Sequence, residues 1–182
     1  MNDAQASAAA ATYNERSRLI FCLLAALAMA GALGAQAGAT LQDPDSWWQV
    51  KVGLDFLTNR TFPTVDPYSY TFAGQPWIAK EWLGQVLLAL AYRAGGWNGV
   101  VTAIIASISL TVFLMGWFLS AWLKPILAIT LAFAAVFLIN PIFTARPHVF
   151  TFPIIVIWTA VLFGAAREER APPWWLLVLV VL

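Results

Sequence analysis

The run Val100–Leu123, VVTAIIASISLTVFLMGWFLSAWL, contains no charged residue. A helix of this length exceeds the roughly 30 Å hydrocarbon core of a bilayer, for which about 20 apolar residues suffice. A helix apolar on every face belongs inside a large protein core or in lipid, so this stretch points to an all-α integral membrane protein. The composition agrees. Of 182 residues, 61% are apolar and 10% charged, with a mean hydropathy of +0.75, against roughly 45–50% and about 25% in soluble domains. The formal charge of +1 offers no basic surface to nucleic acid. Cys22, the one cysteine, excludes a disulfide framework and a cysteine-built zinc site. Ten tryptophans suit the headgroup level of a membrane.

Working outward, four more apolar runs are expected to be helices: Leu19–Ala39, Trp77–Tyr92, Pro125–Phe143 and His148–Ala166. The second ends at Arg93-Ala-Gly-Gly, a cation and glycines that stop helices. Residues 1–17 are polar and Ala-rich and read as a flexible tail, leaving 18–182 as the transmembrane domain. Arg16 and Arg18 before an apolar run that ends in Ala35-Gln36-Ala37 also fit a cleaved signal peptide. Either way, loop 40–80 is expected to be extracytoplasmic. The run from Trp174 to Leu182 opens like a sixth span but is too short to cross, so the chain is expected to be a truncated piece of a longer polytopic protein. The sum is a bundle of about five to six transmembrane helices. With the amino terminus inside, the inner connections hold Arg16, Arg18, Arg93 and Arg146. The outer ones hold Lys51, Arg60, Lys80, Lys124, Arg167 and Arg170. A bare count of cations favours the reverse, while the arginines flanking the first span favour this orientation.

The polar residues concentrate in three places. Asp43-Pro-Asp-Ser-Trp-Trp precedes apolar residues at helical spacing, Trp47, Val50, Leu54 and Leu57. Asp43 suits an N-cap, Pro44 the first helical position and Asp45 the first turn, with Trp47 and Trp48 holding an interfacial amphipathic helix against the bilayer. The same two carboxylates could instead ligate a divalent cation such as Mg or Mn, or one could serve as general base toward an acceptor hydroxyl. Next, Asp66-Pro-Tyr-Ser-Tyr-Thr-Phe-Ala-Gly-Gln-Pro-Trp suggests a short strand or hairpin lying on the membrane. It leads to Lys80 and Glu81 at a helix start, where Glu81 either snorkels or contacts substrate. Last, Arg146 and His148 in Thr144-Ala-Arg-Pro-His could bind phosphate oxygens or form a cationic interfacial anchor. A single histidine makes no transition-metal site.

These features together, the Asp43-Pro-Asp-Ser-Trp-Trp loop, the Asp66–Trp77 segment, Glu81-Trp-Leu and Arg146-Pro-His-Val-Phe, resemble bacterial polytopic proteins related to the GT-C glycosyltransferases, over roughly residues 18–166. The resemblance implies a protein of the bacterial inner membrane, embedded as a multi-pass chain. It implies transfer of a sugar from a polyprenyl-phosphate carrier, with this chain as the amino-terminal part of the enzyme. Asp43 or Asp45 would match the family's loop acid, and Arg146 with His148 would hold the carrier phosphate. Trp47, Trp48 and Glu81 complete the expected substrate contacts, and a divalent cation on Asp43 and Asp45 is optional. Five full crossings would put Arg146 on the face opposite Asp43, so a shared site requires the fourth span to be short or re-entrant. Two other readings stand beside it. A non-catalytic membrane subunit or remnant would pack with a partner membrane protein through small-residue faces such as Gly31/Gly34 or Ala103/Ser107. Part of a transporter would want ionisable groups at mid-membrane, which spans one, three and four lack.

Overall fold

The structure is a computed structural model that describes residues 15–139 and 143–181. Most of the expected tail, the end of the fourth apolar run at 140–142 and Leu182 lie outside the described residues. The regular elements are all helical. They are α1 (Glu15–Gly34), a 3-10 turn at Ala37–Leu41, α2 (Asp45–Asn59), α3 (Trp82–Leu119), α4 (Pro125–Ile139), a 3-10 turn at Pro147–Phe150, α5 (Thr151–Arg167) and α6 (Leu176–Val181). Three stretches are long and apolar enough to cross a membrane: Glu15–Gly34, Trp82–Leu119 and Pro147–Arg167; Pro125–Ile139 is apolar but shorter.

The boundaries depart from the sequence reading in several places. Helix α1 begins at Glu15, so residues 15–17 belong to it rather than to the tail. The second and third runs join in α3, but Gly95 (φ −157°, ψ 25°) and Gly96 (φ 58°, ψ −145°) leave helical geometry. The Gly96 conformation is one that side chains forbid. The chain turns sharply there: a Cβ on Gly99 would lie 2.1 Å from the carbonyl oxygen of Ala91, whereas residues eight apart in an unbroken helix are about 12 Å apart. The segment 82–94 therefore rises only about 20 Å.

The chain forms two compact units, one of residues 15–36, 105–139 and 151–181, the other of 37–104 and 143–150. In the first, α1 packs on α4, whose buried Ala128, Ala132 and Val136 recur every fourth residue along one face. The opposite face of α4 exposes Ile126, Phe137 and Leu138, which suits contact with lipid. Arg18 donates to Ser120 Oγ and to the Trp117 carbonyl, both at 3.1 Å, and lies 4.7 Å above the Trp117 ring. Arg167 lies 4.0 Å above Trp122. Cations over indole rings are the pairing expected at a membrane interface.

The second unit holds the polar loop. Helices α2 and the first part of α3 lie side by side in the same direction, because Gln49 meets Gln85, Gly53 meets Gln85 and Ala89, and Thr58 meets Arg93. Glycine permits the closeness: a Cβ on Gly53 would lie 2.1 Å from the Gln85 carbonyl oxygen, and one on Gly84 would lie 2.4 Å from Pro147 Cβ. Val50, Val52, Leu88, Ala89, Val100 and Val149 are buried here. Arg60, in the left-handed region at φ 58°, ends α2 by donating its N–H to the Phe56 carbonyl at 2.8 Å. The expected hairpin is present in reduced form. One antiparallel bridge joins Val65 to Pro76, flanked by bonds from Asp66 N to Gln75 O (2.8 Å) and from Trp77 N to Thr64 O (2.9 Å). Helix α3 begins at Trp82, later than Trp77, since Gln85 N–H to Glu81 O at 3.0 Å is the first helical bond of that segment.

Candidate functional site

The site lies wholly within the second unit and begins at the turn before α2. Asp43 Oδ1 accepts the N–H of Asp45 at 3.0 Å, and the Asp43 carbonyl accepts that of Ser46 at 3.1 Å. This satisfies N–H groups that a helix start leaves without partners. The same carboxylate takes a fork from Arg146, Nε to Oδ2 at 2.5 Å and Nη2 to Oδ1 at 3.1 Å. A third contact joins Arg146 Nη2 to Asp45 Oδ2 at 2.7 Å. Pro44 rather than Asp43 occupies the N-cap position, without a side-chain cap bond, and Asp43 serves the helix start only through its bond to the Asp45 N–H while also carrying the ion pair. The Arg146 bond holds the Asp43 carboxyl below the usual carboxylate range, against a smaller opposing effect of burial. Asp43 in turn raises Arg146, with Asp45 and Glu81 adding to it.

Local structure fixes the arginine. Ala145 donates its N–H to the Thr40 carbonyl at 2.9 Å, strapping its segment to the 3-10 turn before Asp43. Pro147 is wedged against Gly84. Arg146 therefore leaves a backbone pinned on both sides, so its planar fork meets the two acids without a large loss of side-chain freedom.

A cavity of about 590 Å³ opens beside this triangle. Asp45 and Glu81 are its acids, Lys80, Arg146 and His148 its cationic or proton-bearing groups, and Trp48 and Trp77 its ring walls. Gln49 and Gln85, both nearly fully buried, form part of the lining. Gln49 donates Nε2 to Glu81 Oε2 at 3.1 Å, and Gln85 donates Nε2 to Gln49 Oε1 at 2.7 Å. The Glu81 carboxylate, which only accepts, sets the direction of this chain. Gln85 Oε1 is left buried without a protein partner.

Of the residues singled out in the sequence, Asp43, Asp45 and Arg146 meet directly, and Trp48, Glu81 and His148 share the cavity with Asp45 and Arg146. Trp47 goes elsewhere: it is largely exposed and packs its ring 4.3 Å from that of Trp97. Sequence reasoning missed Gln49 as a partner of Glu81. The available signal was its place one turn after Asp45, a polar residue within the apolar pattern of α2. Asp43 and Asp45 converge on one guanidinium, and among the described residues no group of three or more His, Cys, Asp or Glu could hold a metal ion. In this arrangement the charge of the two acids is met by Arg146. Compared with protein-family models, with curated proteins and with solved structures, the chain matches none.

Proposed function

We propose that this chain carries the donor-binding and acid–base part of a membrane glycosyltransferase that uses a polyprenyl-phosphate-linked sugar. The observation that supports it is the cavity in which Asp45 and Glu81 face Lys80, Arg146 and His148 between two indole walls. A phosphate needs cationic donors, and a sugar needs both acceptors and flat apolar surfaces. In this reading Arg146, with Lys80 and His148, binds the carrier phosphate. Asp45 takes the proton of the acceptor hydroxyl as its oxygen attacks the anomeric carbon. The bond from that carbon to the phosphate oxygen breaks, and the polyprenyl phosphate leaves with the electron pair, its charge stabilised by the same cations. Asp43 acts through Arg146 and is a positioning residue.

The membrane arrangement that fits this chemistry has Asp43 and Arg146 on one face, as their ion pair demands. An even number of crossings must then separate them. The segment 82–94 is too short to cross and runs beside α2, so it stays at the interface with α2; 97–119 crosses, and the apolar helix Pro125–Ile139 belongs to the return crossing that this reading requires. The connections opposite the site then hold Arg16, Arg18, Lys124, Arg167 and Arg170. This moves Lys124, Arg167 and Arg170 to the inner side and Arg93 and Arg146 to the outer, leaving five cations on each, so the count no longer opposes an amino terminus inside. The site would face out of the bacterial inner membrane.

The test is equilibrium binding of a short-chain polyprenyl phosphate to the full chain in phosphatidylcholine nanodiscs. Arg146→Gln is expected to weaken binding by about tenfold or more, as loss of a charge-assisted pair does, while Trp47→Leu leaves it unchanged. Equal binding by wild type and Arg146→Gln contradicts the reading.

A further inference from the structure

Beside the cavity lies a second pocket of about 240 Å³, which shares Trp48 and Trp77 with it and is completed by Asp66, Tyr68 and Ser69. The hairpin builds it. The Tyr68 and Trp77 rings meet edge to face, with centroids 5.8 Å apart and planes at 71°, so two aromatic walls form a corner and Trp48 supplies a third.

The acid in this corner is immobilised by its own turn. Asp66 Oδ1 accepts the N–H groups of Tyr68 (2.8 Å) and Ser69 (3.0 Å), and Oδ2 accepts the Ser69 hydroxyl. That hydroxyl also accepts the Phe72 N–H at 3.2 Å. The Tyr68 hydroxyl donates to Asp55 Oδ2 at 3.2 Å. Asp66 Oδ1 is filled by two bonds within the chain and Oδ2 already takes one, so the carboxylate offers a ligand chiefly its charge and at most one acceptor position. Lys51 pairs with Asp55 at 2.5 Å, so the Asp66 charge remains uncompensated by that cation. The Tyr68 phenol, pushed up to about 12 by burial and then by Asp55 and Asp66, stays protonated and keeps its hydrogen bond.

We propose that this pocket binds a quaternary ammonium group, the chemistry of choline, against the faces of Trp48, Tyr68 and Trp77 and in the field of Asp66. A sugar would need free donors and acceptors here. A quaternary ammonium makes no hydrogen bond; it takes its binding from aromatic faces and from fixed negative charge. The group can come from a zwitterionic lipid headgroup or from a free solute. This assignment does not rest on the glycosyltransferase reading, since Asp66 and Tyr68 have no part in that chemistry.

The experiment is calorimetric titration of the full chain in phosphatidylglycerol nanodiscs with choline and with its neutral isostere, 3,3-dimethyl-1-butanol. Choline is expected to saturate one site and to bind about tenfold tighter than the isostere, the scale of a cation–π contact. Asp66→Asn, which keeps the acceptor oxygen of the turn but removes the charge, is expected to weaken choline several-fold. Tyr68→Leu should do the same, and Tyr68→Phe, which keeps the ring, should not. Circular dichroism of each variant establishes that the helices are intact. In phosphatidylcholine nanodiscs, weaker apparent choline binding identifies the lipid headgroup as the source, and unchanged binding identifies a free solute; both keep the assignment. Equal affinity for choline and the isostere, or wild-type choline binding by both Asp66→Asn and Tyr68→Leu, overturns it. Tighter binding of methyl glucoside with the same dependence on Tyr68 also overturns it.

Discussion

Arg146 joins two acids with one guanidinium, and that geometry cannot be reproduced by a lysine, whose ammonium is a point charge without a fork. Arg146→Lys is therefore expected to lose carrier binding by about tenfold or more, measured as above. Asp43 separates into its two roles by substitution. Asp43→Asn keeps an acceptor oxygen for the Asp45 N–H and breaks the ion pair; Asp43→Ala removes both, and thermal unfolding should show it about 1 kcal/mol less stable than Asp43→Asn. The partly exposed pair itself is worth about 1 kcal/mol or less. Its pH dependence has a definite sign. Because the folded-state pKa of Asp43 lies below its ordinary value, the contribution is whole above about pH 4 and disappears as the pH falls through the lowered value. The difference in Tm between wild type and Asp43→Asn should stay level from pH 5 to 8 and shrink below about pH 4; a difference that grows on acidification contradicts the pairing. Asp43, Asp45, Glu81, Arg146 and His148 were all legible in the sequence, because ionisable residues are few in so apolar a chain. Their grouping was not, since Arg146 lies 103 residues from Asp43 and no local pattern reports on a contact of that range.

Among the elements, glycines decide which helices can touch. Gly53→Ala and Gly84→Ala would each drive a methyl group into backbone or ring atoms. Each is expected to cost about 1–3 kcal/mol in thermal or denaturant unfolding. Gly96→Ala adds strain in a positive-φ conformation and is expected to cost at least about 1 kcal/mol. Gly31→Ala, with open space around its Cβ and no positive φ, should be neutral or slightly stabilising in the same assay. The Arg93-Ala-Gly-Gly stop was readable because two glycines after a cation interrupt any helix. What followed was not. Gly53 and Gly84 announce a close approach without naming the partner, so the apolar run 77–92 read as a crossing helix rather than a short one laid along α2. The hairpin at 64–77 was legible from its alternation and its Ala-Gly turn, but nothing in the pattern set its pairing at a single bridge.

For the whole molecule, the account turns on sidedness. In a Cys22→Ala background, a cysteine at exposed Tyr70 should react with an impermeant thiol reagent added outside intact cells. One at Ala121 should react only after permeabilisation. The apolar excess pointed to helices able to cross a membrane, and three such stretches are present, whereas hydropathy alone does not see that the Gly95–Gly96 pair folds the chain back between the second and third runs. The most direct test of the proposed chemistry is single-turnover release of polyprenyl phosphate from a polyprenyl-phosphate-linked sugar, compared in wild type, Asp45→Asn and Asp43→Asn chains in nanodiscs. The expected result is release by wild type, a loss of about 10²-fold or more in Asp45→Asn with donor binding retained, and weakened donor binding in Asp43→Asn. Release by Asp45→Asn at the wild-type rate, or none by wild type with bound donor and a range of hydroxyl acceptors present, would contradict it.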